Sequence, residues 1–523
     1  MADGDLARRR SQSASTRLGV VDVGSNSVRL VVFGSSERSP AIFFNEKVLC
    51  GLGADLNKTG RLSPEGRALA LGSLRRFASL ARHMGLGALD AVGTAALREA
   101  EDGPAFVEEA ERIAGVTIRV ASGQDEARLA AQGVLLGDPR ANGVVADIGG
   151  ASMELTTVGD GFVGEGVTAP LGPLRLGDGD AKSLDGRIAA ALDEAFDDAF
   201  PPGAAKGRTL YILGGSWRAF VKAHMAETDY PLPVLHGYAL GRKEALEAAE
   251  WAAGLSPKDF AAKAGASDRR AEVAPRAARV LAHLIRRLSP ERVTLSAYGL
   301  REGVLWEYLS PELRAEDPLI HAARAIEAQR GRMPGFGDEL WGWLAPLFPE
   351  LSPDEARMAR AGCLLADSSW EADTAFRSQS CFDLVTRNNF GGIDPPGRVF
   401  IGAILLYRYK GGDRAMKAQR ARKLLSSEAR TLAERIGRGV RLGAMLSGAA
   451  PGVLPNCPIA LQDDALILRL SGRYGDLDGD ELRSRLSELA KALGAGTAEV
   501  IRDAGSVDDA RGGGFDRATA RPR

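Results

Sequence analysis

Two apolar runs rich in β-branched residues flank a small polar turn near the start of the chain. Residues 18–23 (Leu-Gly-Val-Val-Asp-Val) and 28–33 (Val-Arg-Leu-Val-Val-Phe) read as strands, joined through Asp22-Val23-Gly24-Ser25-Asn26-Ser27. The pattern returns farther on: 144–148 and 153–158 flank Asp147-Ile148-Gly149-Gly150-Ala151-Ser152, and 162–167 extends the pair into a three-strand meander. Asp22 matches Asp147, Gly24 matches Gly149, and Glu154 is added on the outgoing strand. Gly24 is expected to turn the backbone with φ > 0. Two copies of one hairpin predict two related domains facing each other across a bound phosphate.

Between the hairpins the apolar period alternates between strand and helix. Strands are predicted at 41–48, 89–92 and 116–121. Helices are predicted at 64–84, entered through Ser63-Pro64 as N-cap and N1, at 104–114, and at 124–135 after Ser122-Gly123. The stretch 51–63 reads as a Gly-rich loop. It begins Gly-Leu-Gly but lacks the third glycine of a dinucleotide fingerprint, which discounts that function. After the second hairpin come helices at 183–196, 217–225, 240–254 and 275–288 and strands at 210–213 and 292–295. From about 318 the chain turns helix-rich, with 338–347, 353–368, 399–409 and 428–446, and it closes with 465–470, a helix at 481–493, and 498–501. The expected fold class is α/β. Its expected parts are a disordered tail at 1–16, α/β domains at 17–140 and 141–315, a C-terminal region at 316–505, and a second disordered tail at 506–523.

Composition narrows the class. The 523 residues are 45% hydrophobic and 26% charged, enough apolar material for several globular cores. A net charge of −1 gives no global steering toward a polyanion, so any attraction must be local. Cys50, Cys363, Cys381 and Cys457 fit no zinc or disulfide spacing and read as reduced core residues of a cytoplasmic protein. No run of 18 apolar residues predicts a membrane span, and the basic start lacks the apolar stretch of a signal peptide.

The turns carry the candidate chemistry. Ser25, Asn26, Ser27 and the turn amides offer donors to an anion, and Asp22 places a carboxylate where Mg²⁺ or a water could be held. No GxxxxGK[ST] loop is present.

Residues 22–29 and 147–155 resemble the two phosphate-binding hairpins of the acetate-kinase, sugar-kinase, heat-shock-type chaperone and actin superfamily. Four further motifs resemble the exopolyphosphatase and guanosine pentaphosphate phosphatase family. They are Gly93-Thr-Ala-Ala-Leu-Arg98-Glu-Ala, Ser122-Gly-Gln-Asp-Glu126-Ala-Arg-Leu, Leu213-Gly-Gly-Ser216 and Ser296-Ala-Tyr-Gly-Leu-Arg301-Glu-Gly. The resemblance is close over about 17–310. It implies two actin-like (ribonuclease H-like) domains flanking a phosphate cleft, then a mostly helical region with a degenerate His-Asp-type domain and a small α+β end. In that region Cys363-Leu-Leu-Ala-Asp367 has Ala366 where the motif has His, and no histidine follows His321, so no second, His-dependent metal site is expected.

The activity implied is a magnesium-dependent exopolyphosphatase releasing terminal orthophosphate from inorganic polyphosphate. The rival on the same site is a guanosine pentaphosphate 5′-phosphatase. Rivals of other classes are a superfamily kinase, for which no acceptor pocket or adenosine loop is identified, and a non-catalytic guanosine tetraphosphate binder, against which an intact Glu126 argues. No nucleic-acid partner is expected, and a homodimer is.

The resemblance makes Glu126 the catalytic base; on the residues alone, Asp125 and Glu126 are equally two acids favouring a helix N-terminus. It has Asp147 and Glu154, with Asp22, hold Mg²⁺. Gly149, Gly150, Ser152 and Gly215 would bind phosphate, with the methyl of Ala151 narrowing the turn where relatives have a third glycine. Arg98 and Arg301 would clamp phosphate oxygens, although Glu99 and Glu302 beside them equally suit surface salt bridges. Finally, Arg408, Lys410, Arg414, Lys417, Arg420, Arg422 and Lys423 face only one acid, Asp413. They read as a track for a long polyphosphate, or as a solvated helix face.

Overall fold

The computed structural model describes residues 17–503 apart from Ser36, Pro40, Asp178, Asp197 and Lys410; both expected tails and Lys410 lie outside the described residues. The described residues up to Ala322, with Asn389–Pro395, form one compact unit, and the remainder form a second.

The first unit holds two mixed sheets. Strands β1 (Leu18–Val23), β2 (Ser27–Phe33), β3 (Ile42–Leu49), β4 (Ala88–Gly93) and β5 (Ile118–Val120) run in the order β3-β2-β1-β4-β5. The hairpin β1–β2 is antiparallel, while β4 runs parallel to β1 and β5 parallel to β4. Register aligns Asp22 with Arg29 across β1–β2, and Arg29 with Lys47 across β2–β3. Directly opposed residues share a face, so one row reads Asp22, Arg29, Lys47.

The second sheet holds β6 (Gly143–Ile148), β7 (Met153–Gly159), β8 (Phe162–Val163), β9 (Val167–Ala169), β10 (Thr209–Leu213), β11 (Tyr238–Gly241) and β12 (Arg292–Leu295). Its order is β11-β12-β10-β6-β7-β8, with β9 also on β7. Asp147 pairs with Glu154 across β6–β7. The expected third strand of the meander, 162–167, is instead broken into β8 and β9. Gly164 and Gly166 fall in the break, where a Cβ would come 2.2 Å from Thr157 Oγ1 and 2.5 Å from Ala127 Cβ respectively.

Each sheet has a core beneath its own helices. The first packs Val21, Leu30 and Val32 with Leu74, Phe77 and Phe106 of the helices Pro64–His83 and Gly103–Ala114. The second packs Val144 and Ile212 with Trp217, Phe220 and Leu281 of Gly215–Glu227 and Asp268–Leu288. A third core joins the sheets: Leu18, Val20 and Val31 meet Val145 and Leu213 through Leu129 and Val134 of the helix Gly123–Gly137 and Val304 and Leu305 of Leu300–Tyr308. Those two helices cross at glycines. A Cβ at Gly133 would lie 2.2 Å from the Gly299 carbonyl oxygen, and one at Gly303 1.9 Å from that of Leu129.

Several elements differ from the sequence expectation. Leu300–Tyr308 and Pro257–Ala264 were not anticipated, and a short helix, Leu56–Thr59, interrupts the 51–63 loop. The helix expected from 275 begins at Asp268 and carries Pro275 inside it. The helix expected over 353–368 stops at Leu364.

The second unit is helical, with Phe336–Leu344, Pro353–Leu364, Arg377–Arg387 and Ser427–Ser447 among its helices. It closes on a three-stranded sheet of β13 (Ile459–Gln462), β14 (Ala465–Ser471) and β15 (Thr497–Asp503) against Asp480–Leu493. Buried Asp367 accepts from Arg332 at 2.6 and 2.8 Å, with Arg408 at 3.9 Å. Arg408 thereby leaves the expected polyphosphate track and belongs to a structural ion-pair cluster. The rest of the basic segment is a short helix, Gly412–Ala418, and a 3₁₀ turn, Arg420–Leu424, that expose Arg414, Lys417, Arg420, Arg422 and Lys423. No helix among the described residues is long and apolar enough to cross a membrane.

Candidate active site

The two hairpin turns open onto one cavity of about 540 Å³ in the first unit. Asp22, Ser25, Asn26 and Ser27 line one wall, and Asp147, Gly149, Gly150, Ala151, Ser152 and Glu154 another. The turns approach closely: a Cβ on Gly150 would lie 3.8 Å from that of Ser25. Gly24 does not take the positive φ expected of it, and neither does Gly149. The constrained glycine is Gly214, at φ +103°, where a Cβ would come 2.3 Å from the Ile148 carbonyl oxygen. It starts the helix whose first residue, Gly215, lines the cavity. The discounted Gly-rich loop has a supporting role, because Cys50 and Gly51 donate to the Asn26 carbonyl oxygen and Gly53 to that of Ser25.

Glu126 enters from the first turn of Gly123–Gly137. Ser122 and Asp125 form a capping box there, and Asp125 also accepts from Arg128 at 3.1 Å, so Asp125 is consumed locally. Glu126 points into the cleft, 9% exposed, and accepts from Arg98, which also donates to the Ala121 carbonyl oxygen at 2.8 Å. Burial pushes Glu126 up to about 7 against the pull of Arg98, with Asp147 and Asp22 adding to the rise. Burial and then the Glu126 carboxylate hold Glu154 well above the ordinary value. Asp147 is pushed up to about 6 by burial, which outweighs Arg218.

Arg98 therefore grips the candidate base and is not itself among the cavity-lining residues. Arg301 lines the cavity and donates to Asp22 Oδ2 at 3.0 Å. Asp22 is thus ion-paired, while Asp147 and Glu154 face the cavity across the other hairpin. Among the described residues no three His, Cys, Asp or Glu side chains cluster as a metal cage. Glu154 Oε1 is buried without a hydrogen-bond partner. Two hard oxygen donors with an orphaned atom suit a cation that keeps most of its shell as water and phosphate.

Sequence reasoning missed five lining cations: Arg29, Lys47, Arg218, Lys222 and Arg270. Arg29 is pushed down to about 10 by burial and then by Arg301 and Arg218. Arg218 is likewise lowered, by burial and then Arg301. Arg29 stood inside the first hairpin motif, and Arg218 and Lys222 are four apart on the helix after Gly214; only the fold shows that they converge.

The Ppx/GppA phosphatase family model matches residues 31–312, and an exopolyphosphatase C-terminal model matches 319–500. The chain belongs to the Ppx/GppA phosphatase family. A guanosine-5′-triphosphate,3′-diphosphate pyrophosphatase of Vibrio cholerae is 25% identical over 487 residues, covering 89% of this chain and 94% of the relative. One from Aliivibrio fischeri is 34% identical over 161 residues, 31% and 32% of the two chains. A solved exopolyphosphatase of Cytophaga hutchinsonii shares the fold at TM-score 0.50 and 21% identity, covering 55% of this chain and 96% of its own. The architecture is thus that of two actin-like α/β sheets followed by a helical region.

Proposed function

We propose that this Ppx/GppA phosphatase hydrolyses the terminal phosphoanhydride of inorganic polyphosphate. The observation that carries the reading is Glu126: a buried carboxylate near neutral pKa, gripped by Arg98, beside two phosphate-type hairpins and a cationic cleft. In this reading the Glu126 carboxylate takes a proton from water. The water oxygen bonds to the terminal phosphorus, the bridging P–O bond breaks, and orthophosphate leaves. Ser25, Ser152 and the turn amides hold the phosphoryl oxygens, and the arginines offset their charge. Asp147 and Glu154 would hold Mg²⁺, which when bound supplies charge neutralisation at the phosphoryl group.

Among the described residues no aromatic side chain lines the cavity, which favours a substrate without a base to stack. The naming of the Vibrio cholerae relative favours a second reading, guanosine pentaphosphate on the same site. Phosphate release from long polyphosphate, guanosine pentaphosphate and ATP, measured side by side, decides. Polyphosphate is expected to give the highest kcat/KM. A higher value for the pentaphosphate moves the assignment to the nucleotide, and release from none of them overturns it.

A further inference from the structure

The candidate base stands on the helix after β5, whereas the second phosphate turn joins β6 to β7 of the other sheet. Water and phosphorus meet in line only if the two stay aligned. A row of four side chains joins them outside the cavity. Arg175 donates through Nη1 to Glu99 Oε2 at 2.8 Å. The other oxygen of that carboxylate, Oε1, lies 4.0 Å from Arg98 Nη2. Arg98 in turn donates through Nη1 to Glu126 Oε1. Glu99 and Arg98 each use a different atom on each side, so the four run in series with alternating charge.

The outer end of the row is fixed to the second turn. Beside Arg175, the Leu174 N–H donates to the Gly150 carbonyl oxygen at 3.0 Å, and the Gly172 N–H to that of Ala151 at 3.2 Å. A Cβ at Gly172 would come 2.2 Å from the Ala151 carbonyl carbon, and one at Gly150 would lie 3.1 Å from Leu174 Cδ1. Loop and turn packed this closely shift together. At the inner end, Glu99 is the last residue of the short helix Ala95–Glu99, which also carries Arg98. Leu174 lines the cavity, but Glu99 and Arg175 do not. Any effect they have on the reaction passes through Arg98. Their side chains are 31% and 38% exposed, and an ion pair so open to solvent adds little to stability. What the pair sets is the direction in which the Arg98 guanidinium is held.

We propose that Arg175 is a positioning residue, which through Glu99 and Arg98 keeps the Glu126 carboxylate aligned with a phosphoryl group seated on the 149–152 turn. This rests on Glu126 as the base and deepens that reading. Without Arg175, the Glu99 carboxylate turns to Arg98 and draws the guanidinium outward. Without Glu99, Arg98 loses its outer anchor and Arg175 has no route to it.

The test is a double-mutant cycle on the full chain with Arg175→Gln, Glu99→Gln and the pair together. Each single change is expected to lower kcat for phosphate release from polyphosphate by about five- to twentyfold, with KM held within about twofold. Tm should move by no more than about 2 °C, since the pair is partly exposed. The double variant should lose no more than the worse single one, and Arg175→Lys should regain most of the kcat. Hydrogen exchange gives a readout that needs no turnover. Glu99→Gln should speed exchange of the Gly172 and Leu174 amides at least about threefold, as Arg175→Gln does, although Glu99 is carried by the other sheet. Losses that multiply in the double variant, full kcat in either single variant, or unchanged exchange in Glu99→Gln overturns the proposal. KM and Tm that fall away together with kcat would make the pair merely structural and overturn it too. Failure of the wild type to release phosphate from any substrate would instead overturn the catalytic reading, and the exchange rates would still decide whether Glu99 ties the two sheets together.

Discussion

Arg98 donates through one nitrogen, Nη1, to both the carboxylate of Glu126 and the carbonyl oxygen of Ala121. The guanidinium thereby ties the candidate base to the end of the strand that precedes its helix, and lowers the proton affinity that burial raises. Replacing Arg98 with Met should move the acid limb of kcat/KM to higher pH and lower kcat, while Arg98→Lys recovers part of both. An unmoved acid limb would mean that Arg98 does not tune Glu126.

Glu126→Gln keeps the shape and removes the proton acceptor. We expect kcat to fall at least about 100-fold with substrate binding retained. Retention of more than about a tenth of the wild-type kcat, within about 1.4 kcal/mol, would exclude Glu126 as the base.

Glu126 and Asp147 bind protons more tightly in the folded chain, near 7 and 6, than free carboxylates do. The unfolded chain therefore carries fewer protons between about pH 4 and 7, and these groups make stability fall as pH rises through that window. The site is held at a cost to stability. Glu154→Gln removes the carboxylate beside Glu126. At pH 8 it should raise Tm, at about 2–4 °C for each kcal/mol relieved, and abolish activity. Mg²⁺ should raise the Tm of the wild type at pH 8 and raise that of the variant less. A variant less stable than wild type at pH 8 contradicts this electrostatic account.

Much of this site was legible because a hairpin is a local object. The Asp-x-Gly turns at 22 and 147 announce themselves by repetition, whereas the residues alone left Asp125 and Glu126 equal; only the resemblance chose Glu126, and the capping box of Ser122 with Asp125 that leaves Glu126 to point inward emerged with the structure. The convergence of Arg29, Lys47, Arg218 and Arg270 was not legible, since four elements of two sheets bring them together. The role of Gly24 was misjudged for a different reason. Sequence shows that a glycine is present, but whether it supplies positive φ or merely open space is decided by the turn, and here φ is ordinary. The expected phosphate clamps Arg98 and Arg301 turn to carboxylates, because a guanidinium in a buried cleft takes the nearest oxygen anion.

Glu126 and Arg301 are carried by the two helices that cross at Gly133 and Gly303, so the crossing sets the site's width. Gly303→Ala would put a methyl 1.9 Å from the Leu129 carbonyl oxygen. Rigid backbone cannot yield cheaply there, and a loss of about 3 kcal/mol or more is expected, with activity falling with it. Gly186→Ala, in the helix Ala181–Phe196, meets nothing within 4 Å and should be neutral or stabilising by up to about 1 kcal/mol. Equal Tm values for the two variants would contradict the close packing.

The exposed cations of the second unit make a separate prediction. Arg414, Lys417, Arg420 and Arg422 remain on the surface, whereas Arg408 is engaged with Asp367, and Asp413 with Arg438 at 3.2 Å. If they track a long polyanion, replacing all four with Gln should raise the long-chain KM about three- to tenfold and reduce its rise with salt. Tripolyphosphate and guanosine pentaphosphate carry too few phosphates to gain from a track, so their KM values should move far less. Equal damage to short and long substrates would make the segment structural. No damage to either would make it a solvated face, and would shift the assignment toward a nucleotide that needs no track.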